Sequence, residues 1–99
     1  MTFDMKLARQ LFDKYNLKES YSDYEEEDDY YWEGYYVNDS DYEIVGVSDG
    51  FYYFTLEGDE MSADEFSEAT GIPADELELI GQLIQHWAEN EYKDDIRGE

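Results

Sequence analysis

Carboxylates are what this chain has in quantity to do chemistry with: 28 Asp and Glu stand against 6 Lys and Arg, 1 His and no Cys. Carboxylates can act as general acids and bases, hold hard cations, or present a field. The absence of cysteine excludes thiolate nucleophiles and disulfides. The lone histidine, His86, stands beside Trp87 on the polar side of a helical pattern, where a surface or packing role is the ordinary one. Acid pairs are so abundant that no single pair singles itself out as catalytic. Neither a nucleophile motif nor a glycine-rich phosphate loop accompanies them. The expectation is a protein that is not an enzyme.

Dedicated metal chemistry fails on spacing. An EF-hand loop needs acids at positions 1, 3 and 5, glycine at 6 and glutamate at 12. Counted from Asp39, position 6 is Ile44; counted from Glu57, it is Ser62. Neither register fits, so the sequence implies no metal site and no cofactor.

That leaves the field, and its distribution is unusual. The six basic residues are Lys6, Arg9, Lys14, Lys18, Lys93 and Arg97, so residues 19–92 contain none. The formal charge is +2 for residues 1–18, −23 for 19–92 and −1 for 93–99, which total −22. Ordinary domains intersperse both signs, because self-repulsion opposes compaction. Duplex DNA carries one charge per roughly 1.7 Å, so 23 charges match roughly 39 Å of duplex, close to the diameter of a chain this long. The expected partner is a basic nucleic-acid-binding protein. Direct binding to nucleic acid or to an anionic membrane is disfavoured by the same charge.

The candidate carboxylates are Glu25, Glu26, Glu27, Asp28 and Asp29 in one run, and Glu33, Asp39, Asp41 and Glu43 around a hairpin. Glu57, Asp59, Glu60, Asp64 and Glu65 form a third group. Alternate strand residues lie about 6.8 Å apart and helical neighbours about 5–6 Å, spacings like those of backbone phosphates. Tyr31 and Tyr35 flank Glu33 at strand spacing, a pattern that suits arginine: its guanidinium stacks on a ring while pairing with an acid. The alternatives are a solvated surface, or adaptation to concentrated salt.

Elements must position these groups. Low hydropathy with high charge reads first as disorder, but 11 Tyr, 5 Phe, 2 Trp and only 1 Pro argue for a packed core. Phe3, Leu7, Leu11 and Tyr15, widened by Ala8 and Phe12, predict a first helix with Thr2 as its N-cap. Residues 19–29 read as a solvated loop. Tyr30–Val37, Tyr42–Val47 and Phe51–Leu56 predict strands, separated by Asn38-Asp39-Ser40-Asp41 and Ser48-Asp49-Gly50 turns. Gly34 and Gly46 inside them point to bulges or a close helix crossing. Alternation places Trp32, Tyr36, Ile44, Tyr52, Phe54 and Leu56 toward the helices, with Tyr31, Glu33, Tyr35 and Val37 on the other side. Ser62 and Glu65 form a capping-box pattern, and Gly71 suits a left-handed helix end. Pro73 suits the first turn of a last helix whose apolar face is Leu77, Ile80, Leu83, Ile84 and Trp87. The expected fold is one α+β domain over residues 1–99: a three-stranded antiparallel meander with helices on one face, in the order α-β-β-β-α-α.

Residues 65–74 (EFSEATGIPA) resemble the helix-turn-helix core of transcriptional regulators, with Ala69, Gly71 and Ile72 at the turn. Asp75, Glu76 and Glu78 then stand where a recognition helix would meet phosphate, so the segment reads as an αα-hairpin without a DNA role. In size, charge and tyrosine-plus-acid texture, residues 19–92 resemble the DNA-mimic inhibitors of phages and mobile elements, the anti-restriction and anti-CRISPR proteins. The resemblance implies a stoichiometric inhibitor that occupies a DNA-binding channel; a cytoplasmic location is the expectation from the want of a leader-like or membrane-spanning run. A second reading is an acidic interaction module, an antitoxin, chaperone or assembly subunit, centred on an apolar patch with charge at its rim. No secretory leader or membrane-spanning run is apparent.

Overall fold

Asp4 caps the first helix, its carboxylate accepting from the backbone N–H of Leu7 at 3.0 Å. The computed structural model describes residues 4–93, so Thr2, expected as the cap, and Phe3 lie outside the described residues. Helix α1 (Met5–Lys14) buries Ala8, Leu11 and Phe12. It closes in a left-handed Asn16 (φ 55°), with Asn16 N–H donating to Asp13 and Leu17 N–H to Phe12. Those two bonds form a Schellman end, and they turn the chain so that Leu17 enters the core.

The next segment overturns the expectation of a loop. Strand β1 (Lys18–Glu25) pairs antiparallel with β2 (Tyr30–Tyr36), with an irregularity between Glu19 and Tyr21. The acid run supplies only the connecting turn and the strand ends. Beyond β2 come β3 (Tyr42–Val47), β4 (Phe51–Leu56) and the short β5 (Asp59–Met61). The expected three-stranded meander is therefore the centre of a five-stranded one, ordered β1-β2-β3-β4-β5 with every pair antiparallel. Paired left-handed residues make two of the turns: Asn38 and Asp39, then Glu57 and Gly58. The edge strands β1 and β5 carry Glu19, Asp23, Asp59 and Glu60. Charge on an open edge discourages pairing with another chain.

Helix α2 (Ala63–Thr70) opens with the full capping box of Ser62 and Glu65 and ends at Gly71, whose φ is 79°. Helix α3 (Ala74–Glu91) begins one residue after the place expected, with Pro73 as its N-cap. Its buried face is Leu77, Ile80, Gly81, Leu83, Ile84 and Ala88. Phe12 meets Tyr35 and Trp87 edge-on, both at 5.1 Å, and Phe66 of α2 meets Phe54 at 4.8 Å. All three helices thus lie on one face of the sheet. The Cα radius of gyration is 13.0 Å.

The face assignment of β2 is the reverse of the expectation. Tyr31, Glu33, Tyr35 and Val37 turn toward the helices, while Trp32 and Tyr36 turn away; Ile44, Tyr52, Phe54 and Leu56 face the helices as expected. A one-residue slip in a strand's reading inverts every side chain. Aromatic residues at five of the seven β2 positions leave alternation nothing to distinguish.

Candidate functional site: exposed carboxylates and an aromatic cleft

The hairpin connections sort the exposed acids to the two ends of the sheet. Glu26, Glu27, Asp28 and Asp29 make the β1–β2 turn, with Glu25 at the strand end and Asp49 in the β3–β4 turn nearby in the topology. Asp39 and Asp41 in the β2–β3 turn, and Glu57, Asp59 and Glu60 around the β4–β5 turn, occupy the opposite end. Five residue steps of β3 separate the ends by about 17 Å. Asp64 and Glu65 follow on the first turn of α2.

Some of these carboxylates have local work. Asp29 accepts a 2.7 Å hydrogen bond from the Tyr24 hydroxyl, which pushes the Tyr24 phenol up to about 12. Asp39 pairs with Lys18 at 2.7 Å, an exposed bridge that neutralises one charge of its turn. Glu65 closes the capping box. Glu26, Glu27, Asp28, Asp41, Glu57, Asp59, Glu60 and Asp64 remain exposed. Among the described residues the only other ion pair is Arg9–Asp13, at 3.8 Å.

Two of the candidate carboxylates are buried, on opposite faces. Glu43, 8% exposed, faces away from the helices and accepts from the hydroxyls of Ser20 and Thr55. Gly34 makes room for it: a Cβ there would stand 2.5 Å from the Glu43 carboxylate. Glu43 also borders a recess of about 250 Å³ with Tyr36, Asp41 and Glu57.

Glu33, 5% exposed, faces the helices. It accepts from the Tyr31 hydroxyl at 3.1 Å and, more weakly, from the Tyr35 hydroxyl at 3.4 Å. Both phenols belong to alternate positions on the same strand face, so the two-residue spacing that sequence singled out does bring Tyr31, Glu33 and Tyr35 together. Burial raises the Glu33 carboxyl above the ordinary glutamate value; the tyrosine hydrogen bonds oppose that shift and nearby Glu19 adds to it. Burial also pushes the Tyr31 phenol up to about 12 and raises Tyr35 further.

These three residues line an open cleft of about 460 Å³ closed by Trp87 and Asn90 of α3, Arg9 of α1, and Glu19 and Ser22 of β1. Arg9 lies over the rings of Phe12 and Trp87, 5.4 and 5.5 Å from their centroids. Sequence reasoning did not bring Trp87 and Arg9 to this site. The signal was present in α3, where Trp87 extends the buried stripe to the helix end, but reading β2 on the wrong face hid what it faces.

The opposite face carries a second aromatic surface, uncovered by the three described helices. Tyr30 and Trp32 are 5.3 Å apart, Phe51 and Tyr53 6.2 Å, and the pairs border a groove of about 320 Å³ with Val47 and Asp49. Phe51 is 51% exposed. No cluster of metal-ligating side chains occurs among the described residues, and no described helix is long and apolar enough to cross a membrane. No family model, curated protein or solved structure matches this chain.

Proposed function

We propose that this protein is a DNA mimic that inhibits a basic nucleic-acid-binding protein, such as a CRISPR effector or a restriction enzyme, by occupying its nucleic-acid-binding surface. The observation that carries the reading is the set of exposed, mostly unpaired carboxylates on a folded body that has no lysine or arginine across residues 19–92. The longest Cα dimension is 38 Å; a duplex of that length carries about 22 charges, and the chain carries −22. Two acidic ends about 17 Å apart give such a partner separated points of contact rather than one spot. Long-range attraction of this kind accelerates encounter and is sensitive to salt.

The groove of Trp32, Phe51 and Tyr53 favours a second reading, an acidic interaction module whose contact centres on apolar surface with charge at the rim. Ionic strength separates the two. With the host partner isolated by affinity capture, mimicry predicts that its affinity falls by about tenfold or more as the Debye length shortens from roughly 10 Å to a few Å. Affinity that barely changes over that range would favour the apolar contact.

A further inference from the structure

We propose that the cleft holding Glu33 is a guanidinium-binding site, filled in the complex by an arginine side chain of the basic partner. The bearer of the guanidinium rests on the reading above, whereas the chemistry of the cleft stands on its own geometry. Glu33 is a nearly inaccessible carboxylate whose hydrogen-bond partners among the described residues are two tyrosine hydroxyls, and no described Lys or Arg forms an ion pair with it. A carboxylate offers about four acceptor positions, and burial of a charge without a counter-ion is costly. Two hydroxyl donors leave part of that acceptor capacity unused at Glu33.

The walls choose among cations. Tyr31, Tyr35 and Trp87 line the same cleft as the carboxylate, and a guanidinium both stacks on rings and pairs with a carboxylate through its planar fork, which an ammonium does not. The chain already displays this contact, since its own Arg9 guanidinium lies 5.5 Å from the centre of the Trp87 ring. Arg9 does not reach inward to Glu33: its ion pair is with Asp13, and its side chain is 58% exposed. It covers the edge of the cleft and leaves the interior available. The cleft, about 460 Å³, is ample for one guanidinium and its stem.

The test is an NMR titration with Nα-acetyl-arginine amide, with Nα-acetyl-lysine amide and sodium chloride at matched ionic strength. The Trp87 indole N–H reports on the cleft, and Trp32, on the opposite face of the sheet, serves as the internal control. Arginine amide should give saturable shifts at Trp87 but not at Trp32, and should bind more tightly than lysine amide. Glu33→Gln should weaken arginine binding by on the order of tenfold, as expected for losing a charged hydrogen-bond partner. Indistinguishable arginine and lysine titrations, or a folded Glu33→Gln protein that binds like the parent, would overturn the proposal. Should Glu33→Gln fail to fold, Arg9→Gln decides. Arg9 stacks on Trp87 and competes for that ring alone; removing it should tighten arginine binding by about twofold or more, and unchanged or weaker binding would overturn the site. Failure here leaves duplex mimicry untouched, and failure of duplex competition leaves the cleft untouched.

Discussion

Gly46 of β3 lies directly beneath Gln85 of α3: a Cβ built at Gly46 would stand 2.5 Å from the Gln85 backbone nitrogen and 2.6 Å from the Ile84 carbonyl carbon. This is one of the close contacts of α3 with the sheet, beside Gly81 of α3 over the Tyr52 ring, and together they set the height of the helix that walls the Glu33 cleft. The atoms obstructing Gly46 are helix backbone, which cannot rotate away as a side chain can. Gly46→Ala should therefore destabilise the fold by about 1–3 kcal/mol, the usual range for overpacking, measured by urea unfolding. A change within experimental error would mean that α3 shifts freely on the sheet.

Burial divides the acids into two mutational classes. Lysine at Glu43 would place a cation where Ser20 and Thr55 hydroxyls now donate to a carboxylate, and should cost about 3 kcal/mol or more. Lysine at Glu26, Glu27 and Asp28 touches exposed turn residues only. That triple variant should fold, melt at a higher temperature because repulsion falls, and lose partner affinity in increments of about 0–1 kcal/mol per site. Thermal melts of the two variants check the contrast; equal destabilisation would contradict it.

Mild acid should stabilise the protein. The folded-state value of Glu33 lies above its ordinary 4.5. Its contribution is thus fully favourable below the unfolded value and lost as pH rises through the folded one. Arg9, Glu19, Tyr31, Tyr35 and Glu91 surround the same cleft, and the net charge of −22 adds to the trend. The melting temperature should rise as pH falls from neutral toward 5. Glu33→Gln should melt higher than the parent at neutral pH and show a smaller rise. A parent melting temperature that falls over this window would contradict the burial argument.

Much of this architecture is legible in the residues, and the gaps have physical causes. The capping box at Ser62 and Glu65, the left-handed Gly71 and the apolar stripe of α3 are local signals, and each stands where the sequence puts it. Strand β1 was hidden because KESYSDYE lacks an apolar face; it is an edge strand held by its ladder to β2 rather than by burial. β5 is three residues long, too short to show a period. Five aromatics among the seven residues of β2 give alternation nothing to distinguish, so reading Trp32 and Tyr36 as inward carries Tyr31, Glu33, Tyr35 and Val37 to the wrong side of the sheet. Only the tertiary structure places two phenols over that acid and Trp87 across from it.

Alkaline titration gives an independent view of the same cleft. Tyr31 is pushed up to about 12 by burial, and Tyr35 is raised by burial and by Glu33. Tyr24 reaches about 12 chiefly through its hydrogen bond to Asp29. Difference absorbance at pH 11 should therefore show at least these three of the 11 tyrosines still largely protonated. Stability should fall as pH rises above the ordinary tyrosine value of 10.0, because the folded state favours the neutral phenols. Full ionisation in the folded protein by pH 11 would contradict the cleft's burial.

The central claim is that this surface takes the place of nucleic acid, and competition tests it most directly. With the captured partner at fixed concentration and this protein fluorescently labelled, anisotropy is followed while duplex DNA bound by that partner is added. Mimicry predicts complete displacement, with the apparent affinity for this protein weakening in proportion to the duplex present. A partner that holds duplex and this protein together, neither weakening the other, would contradict it.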